Sequence, residues 1–398
     1  MARGCSQLNG VLESEDTEVM VRAWQTLGLQ LEWHRAQCQL VIEGCGGSPP
    51  VQRADLQIAN SGTSIRFLTA ALAATHGEYT LDGVARMRER PIGDLLDGLR
   101  AWGADVLSTN ANRLDCPPVL IHARGLRGGA ANVRGEISSQ YLSGMLMAAP
   151  YSARDVEISV VGELVSKPYV AMTLSVMRSF GVNSIADSDH HFRIPAPQCY
   201  RGIEYKIEPD ASAASYFLAA AAITGGTVRI LGLSRNALQG DVAFADVLQQ
   251  MGCSLFWGDD FIEVSGRASR GIDIDMNAIS DTVQTLSVVA LFAEGPTRIR
   301  GVAHNRHKET DRIGDLAMEL RRVGACVEEH PDGLTIVPKP LHGCELATYS
   351  DHRMAMSLAL VGLCVPQIRI LNPACTGKTY PHFFEELGLL IGQSPIYE

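Results

Sequence analysis

The sequence has ten cysteines but no C-x-x-C pair among them, which argues against a redox dithiol or a zinc knuckle. Its thiols, at 5, 38, 45, 116, 199, 253, 326, 344, 364 and 375, are scattered singles, read as reduced core thiols of a cytoplasmic protein. No apolar run approaches the roughly 18 to 20 residues of a membrane span; FLAAAAI is among the longest. The opening MARGCSQLNG has neither an apolar signal core nor an Arg/Ser-rich transit segment. There is no basic excess: 34 Lys and Arg face 44 Asp and Glu, a net charge of -10 and a pI of about 5.6. That balance argues against a nucleic-acid binder, and any anion site must be focused locally against the global sign. No G-x-G-x-x-G follows a strand, and no H-E-x-x-H occurs. CTGKT at 375–379 is not a nucleotide-triphosphate loop, because Asn372 stands where that pattern needs glycine. Asp187-Ser188-Asp189-His190-His191 falls in a hairpin turn and is set aside as a metal site, so no metal is expected.

What is present is a folded composition, 46% hydrophobic and 20% charged over 398 residues, enough for about two domains. One pattern recurs: an amphipathic helix, a closing glycine, then two short strands. MVRAWQTLGLQLEWHRAQCQLVIEG, LLDGLRAWGADVLSTNANRLDCPPVLIHA and FADVLQQMGCSLFWGDDFIEVSG are copies. The capping glycines Gly28, Gly103, Gly181, Gly252 and Gly324 are spaced 75, 78, 71 and 72 residues apart by subtraction, a repeated supersecondary unit. A sixth helix, HFFEELGLL, is expected to end at Gly388. Between these units lie Ala-rich, nearly all-apolar segments such as SIRFLTAALAAT, SSQYLSGMLMAAP and ASAASYFLAAAAIT, expected as buried helices. Six units divide into two domains of three, 1–207 and 208–398, with the break near Lys206 to Pro209.

The buried helices start with capping residues: Asn60-Ser61-Gly62-Thr63, Ser138-Ser139-Gln140, Ser280-Asp281-Thr282 and Ser350-Asp351-His352-Arg353. Capping alone leaves Arg66, Lys167 and Arg353 unexplained, since a cation in a first turn opposes the helix dipole. A bound anion would reconcile them, and the expectation is one anion-rich centre between two domains. HNRHKETDR, residues 304–312, places seven chargeable side chains between two apolar segments. It reads either as a solvated loop or as an anion site flanked by an acid or base.

NSGTSIRFLTAAL, RERPIG, SSQYLSGMLMAAP, LVSKPYV, HKETDRI, YSDHRMAM and CTGKTYPHFFEELG, in this order from about Gly4 to Leu390, resemble the 3-phosphoshikimate 1-carboxyvinyltransferase (EPSP synthase) family. The resemblance implies an α/β fold of two domains, each built from three βαβαββ repeats, that closes on its substrates. It implies transfer of the enolpyruvyl group of phosphoenolpyruvate to the 5-hydroxyl of shikimate 3-phosphate, with release of phosphate and no cofactor. By resemblance, Asp281 and Glu309 are the catalytic base and proton donor. Gly62, Arg90, Gln140, Arg312, Arg353 and Lys378 hold phosphoenolpyruvate, with Asn60, Thr63 and His352 in support. Ser138, Ser139, Gln140, Ser166, Tyr169, Asp281 and Lys308 hold shikimate 3-phosphate. A monomer, no nucleic-acid or membrane partner, and glyphosate as inhibitor are implied as well. Gly62 is present, which predicts sensitivity, whereas Phe67 replaces a common proline one turn further on. The family's opening strand and its Lys-Ser-x-x-x-Arg segment have no counterpart, so the first and last repeats are expected to be incomplete, with Met1-Ala2-Arg3-Gly4 at the end of the first buried helix. Two alternatives stay open: a folded ligand-binding relative of little or no activity, and the UDP-N-acetylglucosamine enolpyruvyl transferase, which shares the fold.

Overall fold

A computed structural model describes residues 1–392 of the chain, which divides into two compact units, Met1–Ile207 and Glu208–Glu398.

The first unit is three variations on one theme. Its middle repeat runs β-α-β-α-β-β, and its neighbours fall short of or match that pattern. In chain order, β1 (Arg3–Asn9), α1 (Glu15–Thr26), β2 (Leu31–His34) and β3 (Gln39–Cys45) form the first repeat. The second is β4 (Arg53–Gln57), α2 (Gly62–Ala73), β5 (His76–Asp82), α3 (Gly93–Ala101), β6 (Asp105–Ser108) and β7 (Val119–Arg124). The third is β8 (Gly129–Arg134), α4 (Ser139–Ala148), β9 (Val156–Val161), α5 (Lys167–Ser179), β10 (Ile185–Ser188) and β11 (His191–Ile194), and β12 (Glu204–Lys206) closes the unit. Each repeat owns a four-stranded sheet, ordered β4-β5-β7-β6, β8-β9-β11-β10 and β12-β1-β3-β2. The first pair in each is parallel and the rest antiparallel. A parallel pair needs a crossover; α2 provides it in one sheet and α4 in another. In the remaining sheet β12 arrives from the far end of the unit, with Gln7 opposite Glu204.

Why these segments are helices is visible locally. Ser14 caps α1 in a reciprocal box with Thr17, and Glu15, Asp16 and Glu18 favour the positive end of its dipole. Repeat helices close on glycine: Gly28, Gly103 and Gly181 have φ of 89°, 86° and 84°, a left-handed geometry that costs glycine nothing. α2 and α4 carry apolar residues on nearly every face and lie in the core, with Leu68, Ala70, Leu72, Leu142 and Met145 all within it. Beside them an apolar cavity of about 230 Å³ is lined by Met20 and Trp24 of α1, Phe67 of α2, Met147 of α4 and Val176 of α5.

In the second unit the elements are α6 (Ala211–Thr224), β13 (Thr227–Leu231), α7 (Phe244–Gln250), β14 (Ser254–Trp257) and β15 (Phe261–Ser265). They continue with β16 (Asp273–Asp275), α8 (Val283–Ala290), β17 (Thr297–Arg300), α9 (Gly314–Arg322), β18 (Cys326–His330) and β19 (Gly333–Val337). The last are β20 (Glu345–Leu346), α10 (His352–Ala359), β21 (Arg369–Ile370) and α11 (Phe383–Ile391). The sheet β16-β17-β19-β18 repeats the order of the first unit, while β13-β15-β14 has three strands and β20-β21 two. α6, α8 and α10 contribute Leu218, Ala219, Leu286, Val289, Met354 and Leu358 to one core.

Three expectations are corrected. Met1-Ala2-Arg3-Gly4 is not the end of a helix, the place that the family resemblance implied: Arg3 and Gly4 open the strand Arg3–Asn9, whose register against β3 runs unbroken from Arg3–Cys45 to Asn9–Gln39. α11 does not stop at Gly388, which is buried within it; the left-handed cap is Gly392, φ 67°. The thiols are all unpaired, but only Cys116 and Cys253 are buried, while Cys5, Cys38, Cys326 and Cys364 are exposed. Among the described residues, no helix is long and apolar enough to cross a membrane, and no group of His, Cys, Asp and Glu has the arrangement to hold a metal ion. In the set-aside hairpin, Asp187 instead pairs with His191 and Arg193.

Candidate active site

Each unit carries its own cluster of polar side chains at helix starts. In the first unit the cluster gathers at the N-termini of α2 and α4. Ser61 caps α2, and Gly62 opens the helix. The side chain of Arg90 folds over this turn, donating from Nη1 to the Asn60 carbonyl at 3.0 Å and to Asn60 Oδ1 at 3.3 Å. Its fit explains the glycine. A Cβ on Gly62 would lie 2.5 Å from Arg90 Nη2 and 3.1 Å from Arg66 Nη1, inside contact distance. Ser138 caps α4 by accepting from the Gln140 amide, and Gln140 then spans to α2. Its Nε2 donates to Thr63 Oγ1 at 3.0 Å, and its Oε1 accepts from Arg66 Nη1 at 2.5 Å.

Ser138 and Ser139 begin α4 and are both under 10% exposed. Ser166 precedes α5 in a left-handed conformation, φ 55°, and its carbonyl accepts from the Tyr169 amide. A non-glycine residue in that region stores strain of about 1 kcal/mol or more, a feature common at ligand-holding turns. Lys167 departs from the expectation drawn from helix dipoles: its Nζ is engaged by Asp189 at 2.9 Å. Phe67 faces the apolar cavity, together with Leu68 and Ala71.

In the second unit one arginine organises everything. Arg312 is 2% exposed and spends its fork on three carboxylates. Nε donates to Asp351 Oδ2 at 2.7 Å and Nη2 to Asp351 Oδ1 at 3.2 Å. Nη2 also reaches Glu309 Oε2 at 2.8 Å, and Nη1 reaches Asp281 Oδ1 at 3.2 Å. Asp281 additionally accepts from Arg353 Nη2 at 2.9 Å and lies 3.8 Å from Lys308 Nζ. Lys378 Nζ stands 3.9 Å from Glu309 Oε1. Four cations, Lys308, Arg312, Arg353 and Lys378, thus face three carboxylates, Asp281, Glu309 and Asp351, one positive charge in excess.

The local folding that assembles this cluster is simple. Asp351 caps α10, accepting from the Arg353 amide at 2.8 Å, so one carboxylate both starts the helix and holds Arg312. The segment 304–312 divides its charges between two directions. Arg306 turns to Asp311 at 2.7 Å and Glu329 at 2.9 Å; Lys308 turns to Asp281, Arg312 to Asp281 and Asp351, and Glu309 to Arg312 and Lys378. Asn305 anchors the segment, donating to the Ser280 carbonyl at 2.9 Å.

The titration behaviour follows from this packing. Burial pushes the Asp281 carboxyl up, but Arg353, Lys308 and Arg312 outweigh it and hold the group well below the usual carboxylate range. Asp351 is likewise held low, burial being overcome by Arg312 and His352. Burial drives His352 down to about 3, against the pull of Asp351. His304 falls to about 3, chiefly by burial and then by Lys308. Both imidazoles are neutral at pH 7.

Of the residues singled out from the sequence, Asn60, Gly62, Thr63, Arg90 and Gln140 meet in one cluster, and Asp281, Lys308, Glu309, Arg312, Arg353 and Lys378 in another. His352 lies beside Asp351, 3.7 Å away. Sequence reasoning passed over Asp351, which looked like an ordinary cap, and Tyr216, whose hydroxyl accepts from Arg353 Nη1 at 3.5 Å. A cap two residues before an arginine was the available signal for Asp351.

A repeat-built α/β protein with carboxylates shared on a buried arginine and cations in excess is an enzyme class suited to group transfer between small anions. Comparison with known proteins specifies the family. The sequence profile described as EPSP synthase (3-phosphoshikimate 1-carboxyvinyltransferase) matches residues 1–387. A 3-phosphoshikimate 1-carboxyvinyltransferase of Nostoc punctiforme is 46% identical over 395 residues, 99% of this chain and 92% of that protein. One from Serratia proteamaculans is also 46% identical, covering 97% of this chain and 90% of the relative. An EPSP synthase structure from Acinetobacter baumannii superimposes with a TM-score of 0.79 at 26% identity, covering 99% of this chain and 91% of that one. The chain belongs to the EPSP synthase family.

Proposed function

We propose that this chain transfers the enolpyruvyl group of phosphoenolpyruvate to the 5-hydroxyl of shikimate 3-phosphate and releases inorganic phosphate, acting as a cytoplasmic monomer. The observation that carries the reading is the pair of carboxylates on one guanidinium, Glu309 on Nη2 and Asp281 on Nη1 of Arg312. Addition needs a proton given to carbon and a proton taken from oxygen, and two separately held carboxyl groups can do both.

Glu309 gives a proton to the methylene carbon of phosphoenolpyruvate, and the adjacent carbon becomes electrophilic. The 5-hydroxyl oxygen bonds to that carbon and yields its proton to Asp281. The tetrahedral adduct then returns a methyl proton to the Glu309 carboxylate as its carbon–oxygen bond to phosphate breaks, which restores the double bond; the phosphate takes the proton held by Asp281 and leaves as the second product.

Asp281 is ionised when the site is empty, which suits a base but makes it a weak one. Substrate anions close to Lys308, Arg312 and Arg353 oppose those cations and raise the proton affinity of the carboxylate when it is needed. Arg312, Arg353 and Lys378 of the second unit serve the carboxylate and phosphate of phosphoenolpyruvate, and Arg90 of the first unit serves the same substrate. Ser138, Ser139 and Ser166 take the phosphate of shikimate 3-phosphate, with Gln140 and Tyr169 in support, and Lys308 of the second unit serves the same substrate. Glyphosate competes for the phosphoenolpyruvate groups.

The test is phosphate release with both substrates, with each alone, and with UDP-N-acetylglucosamine as the rival acceptor. Release only with phosphoenolpyruvate and shikimate 3-phosphate together is the expected result; release with the sugar nucleotide overturns the acceptor assignment. Glu309→Gln should lower kcat by at least about 100-fold and abolish the alkaline limb of the pH–rate profile, where a proton donor loses its proton. An unchanged profile removes Glu309 from the proton-donor role.

A further inference from the structure

We propose that Arg66, a residue outside the set above, is a positioning residue that locks the Gln140 carboxamide with one N–H directed to an anionic ligand. The inference rests on the substrate-binding role given to Gln140 above.

Arg66 is 4% exposed, and a buried guanidinium is costly unless satisfied. Among the described residues no carboxylate lies within ion-pair distance of it. Its partners are dipoles instead: Gln140 Oε1 at 2.5 Å, the Pro91 carbonyl at 3.3 Å, and the face of Tyr141, 5.2 Å from ring centre to guanidinium carbon. Tyr141 is itself fixed, its hydroxyl donating to the same Pro91 carbonyl at 2.5 Å. The cation is therefore held rigidly without being neutralised.

That matters for Gln140. A carboxamide can present either its oxygen or its nitrogen in a given direction, and surroundings choose between them. Guanidinium has five donors and no acceptor, so the face of Gln140 turned to Arg66 must be the oxygen. The nitrogen then takes the other side, where one N–H goes to Thr63 Oγ1 at 3.0 Å. Its second N–H is a donor, the polarity an anion requires. Flipping the amide would set a carbonyl oxygen against the ligand. Arg66 thus selects the donor face of Gln140 and leaves its own charge close to the same turn, 3.1 Å from the Cβ position above Gly62.

A double-mutant cycle tests this. Arg66→Met keeps much of the volume and removes every donor; Arg66→Lys retains donors and no acceptor. Gln140→Ala removes the amide. Each variant, and the two Arg66 variants combined with Gln140→Ala, is read as kcat and KM for both substrates and as the thermal-shift Kd for shikimate 3-phosphate. Arg66→Met should raise KM about tenfold with kcat within about threefold, and Arg66→Lys should recover most of that loss. In the Gln140→Ala background, Arg66→Met should add less than about twofold. Effects that multiply, or a lysine variant no better than methionine, overturn the assignment. If Arg66→Met does not melt cooperatively, the Arg66→Lys cycle decides by the same criterion. An unmodified chain that binds shikimate 3-phosphate without turnover overturns the proposed reaction and leaves the Kd cycle to judge Arg66. Absence of both turnover and stabilisation overturns the two readings together.

Discussion

Replacing Asp351 with asparagine separates two jobs that one carboxylate performs. Asparagine caps a helix about as well as aspartate, so the start of α10 should survive. The fork to Arg312 should not: its bonds at 2.7 and 3.2 Å lose their anionic partner, in a place where Asp351 is 0% and Arg312 2% exposed. Removing one member of a buried pair typically costs about 3–5 kcal/mol. Arg312 keeps Glu309 and Asp281, which places the expected cost at the lower end, about 3 kcal/mol. For a unit of this size that lowers the melting midpoint by about 6–12 °C. Meanwhile the cluster gains one net positive charge, so affinity for anionic substrates should hold or rise. The assay is a scanning-calorimetry melt at pH 7 in low and high salt, followed by the KM for phosphoenolpyruvate. Burial makes the loss insensitive to salt. A midpoint shift below about 2 °C, or one erased by salt, would refute the view of Asp351 as the principal support of Arg312.

Gly62→Ala should push the Arg90 guanidinium aside by about 1 Å, since a Cβ would stand 2.5 Å from Nη2 while Nη1 is tied to Asn60. KM for phosphoenolpyruvate and the glyphosate inhibition constant should both rise at least about fivefold, with KM for shikimate 3-phosphate little changed; equal changes in all three would show that Arg90 does not set the geometry. Stability should also depend on two buried histidines. His304 and His352 sit near 3 when folded, below their ordinary 6.5, so the stability they contribute is full above pH 6.5 and is lost as pH falls toward 3. The slope is about 1.4 kcal/mol per pH unit for each. Urea midpoints between pH 7 and 4.5 check this, and a His304→Asn, His352→Asn variant with the same slope as the parent would refute it.

The repeats were legible because their signals are local. Glycine at a helix end announces a left-handed cap, and the caps at Gly28, Gly103, Gly181, Gly252 and Gly324 all have positive φ. The Ala-rich segments read as buried helices because no polar stripe interrupts them, and α6 has eleven of its residues buried. Gly388 misled because a glycine followed by Leu389 and Leu390 looks like a cap, whereas the helix continues to Ile391. The strand at Arg3–Asn9 escaped because its evidence is a partner, β3, and a second partner far along the chain. The charged segment 304–312 could be recognised as unusual, but not sorted. Nothing in its order says that Arg306 serves Glu329 while Arg312 serves Asp351; those pairings are decided by tertiary packing. For the same reason Asp351 passed as a cap.

The pairing of β1 with β12 has a consequence for synthesis. Asn9 and Glu204 share a side-chain hydrogen bond across 195 residues. During translation the strand Arg3–Asn9 leaves the ribosome early and must wait for nearly the whole first unit before its outer edge is covered. Contacts of such long separation form slowly, and an uncovered edge invites pairing with another chain. Stalled or truncated chains ending before Glu204 should therefore be the aggregating species of this protein, and the last strand of the unit is its safeguard.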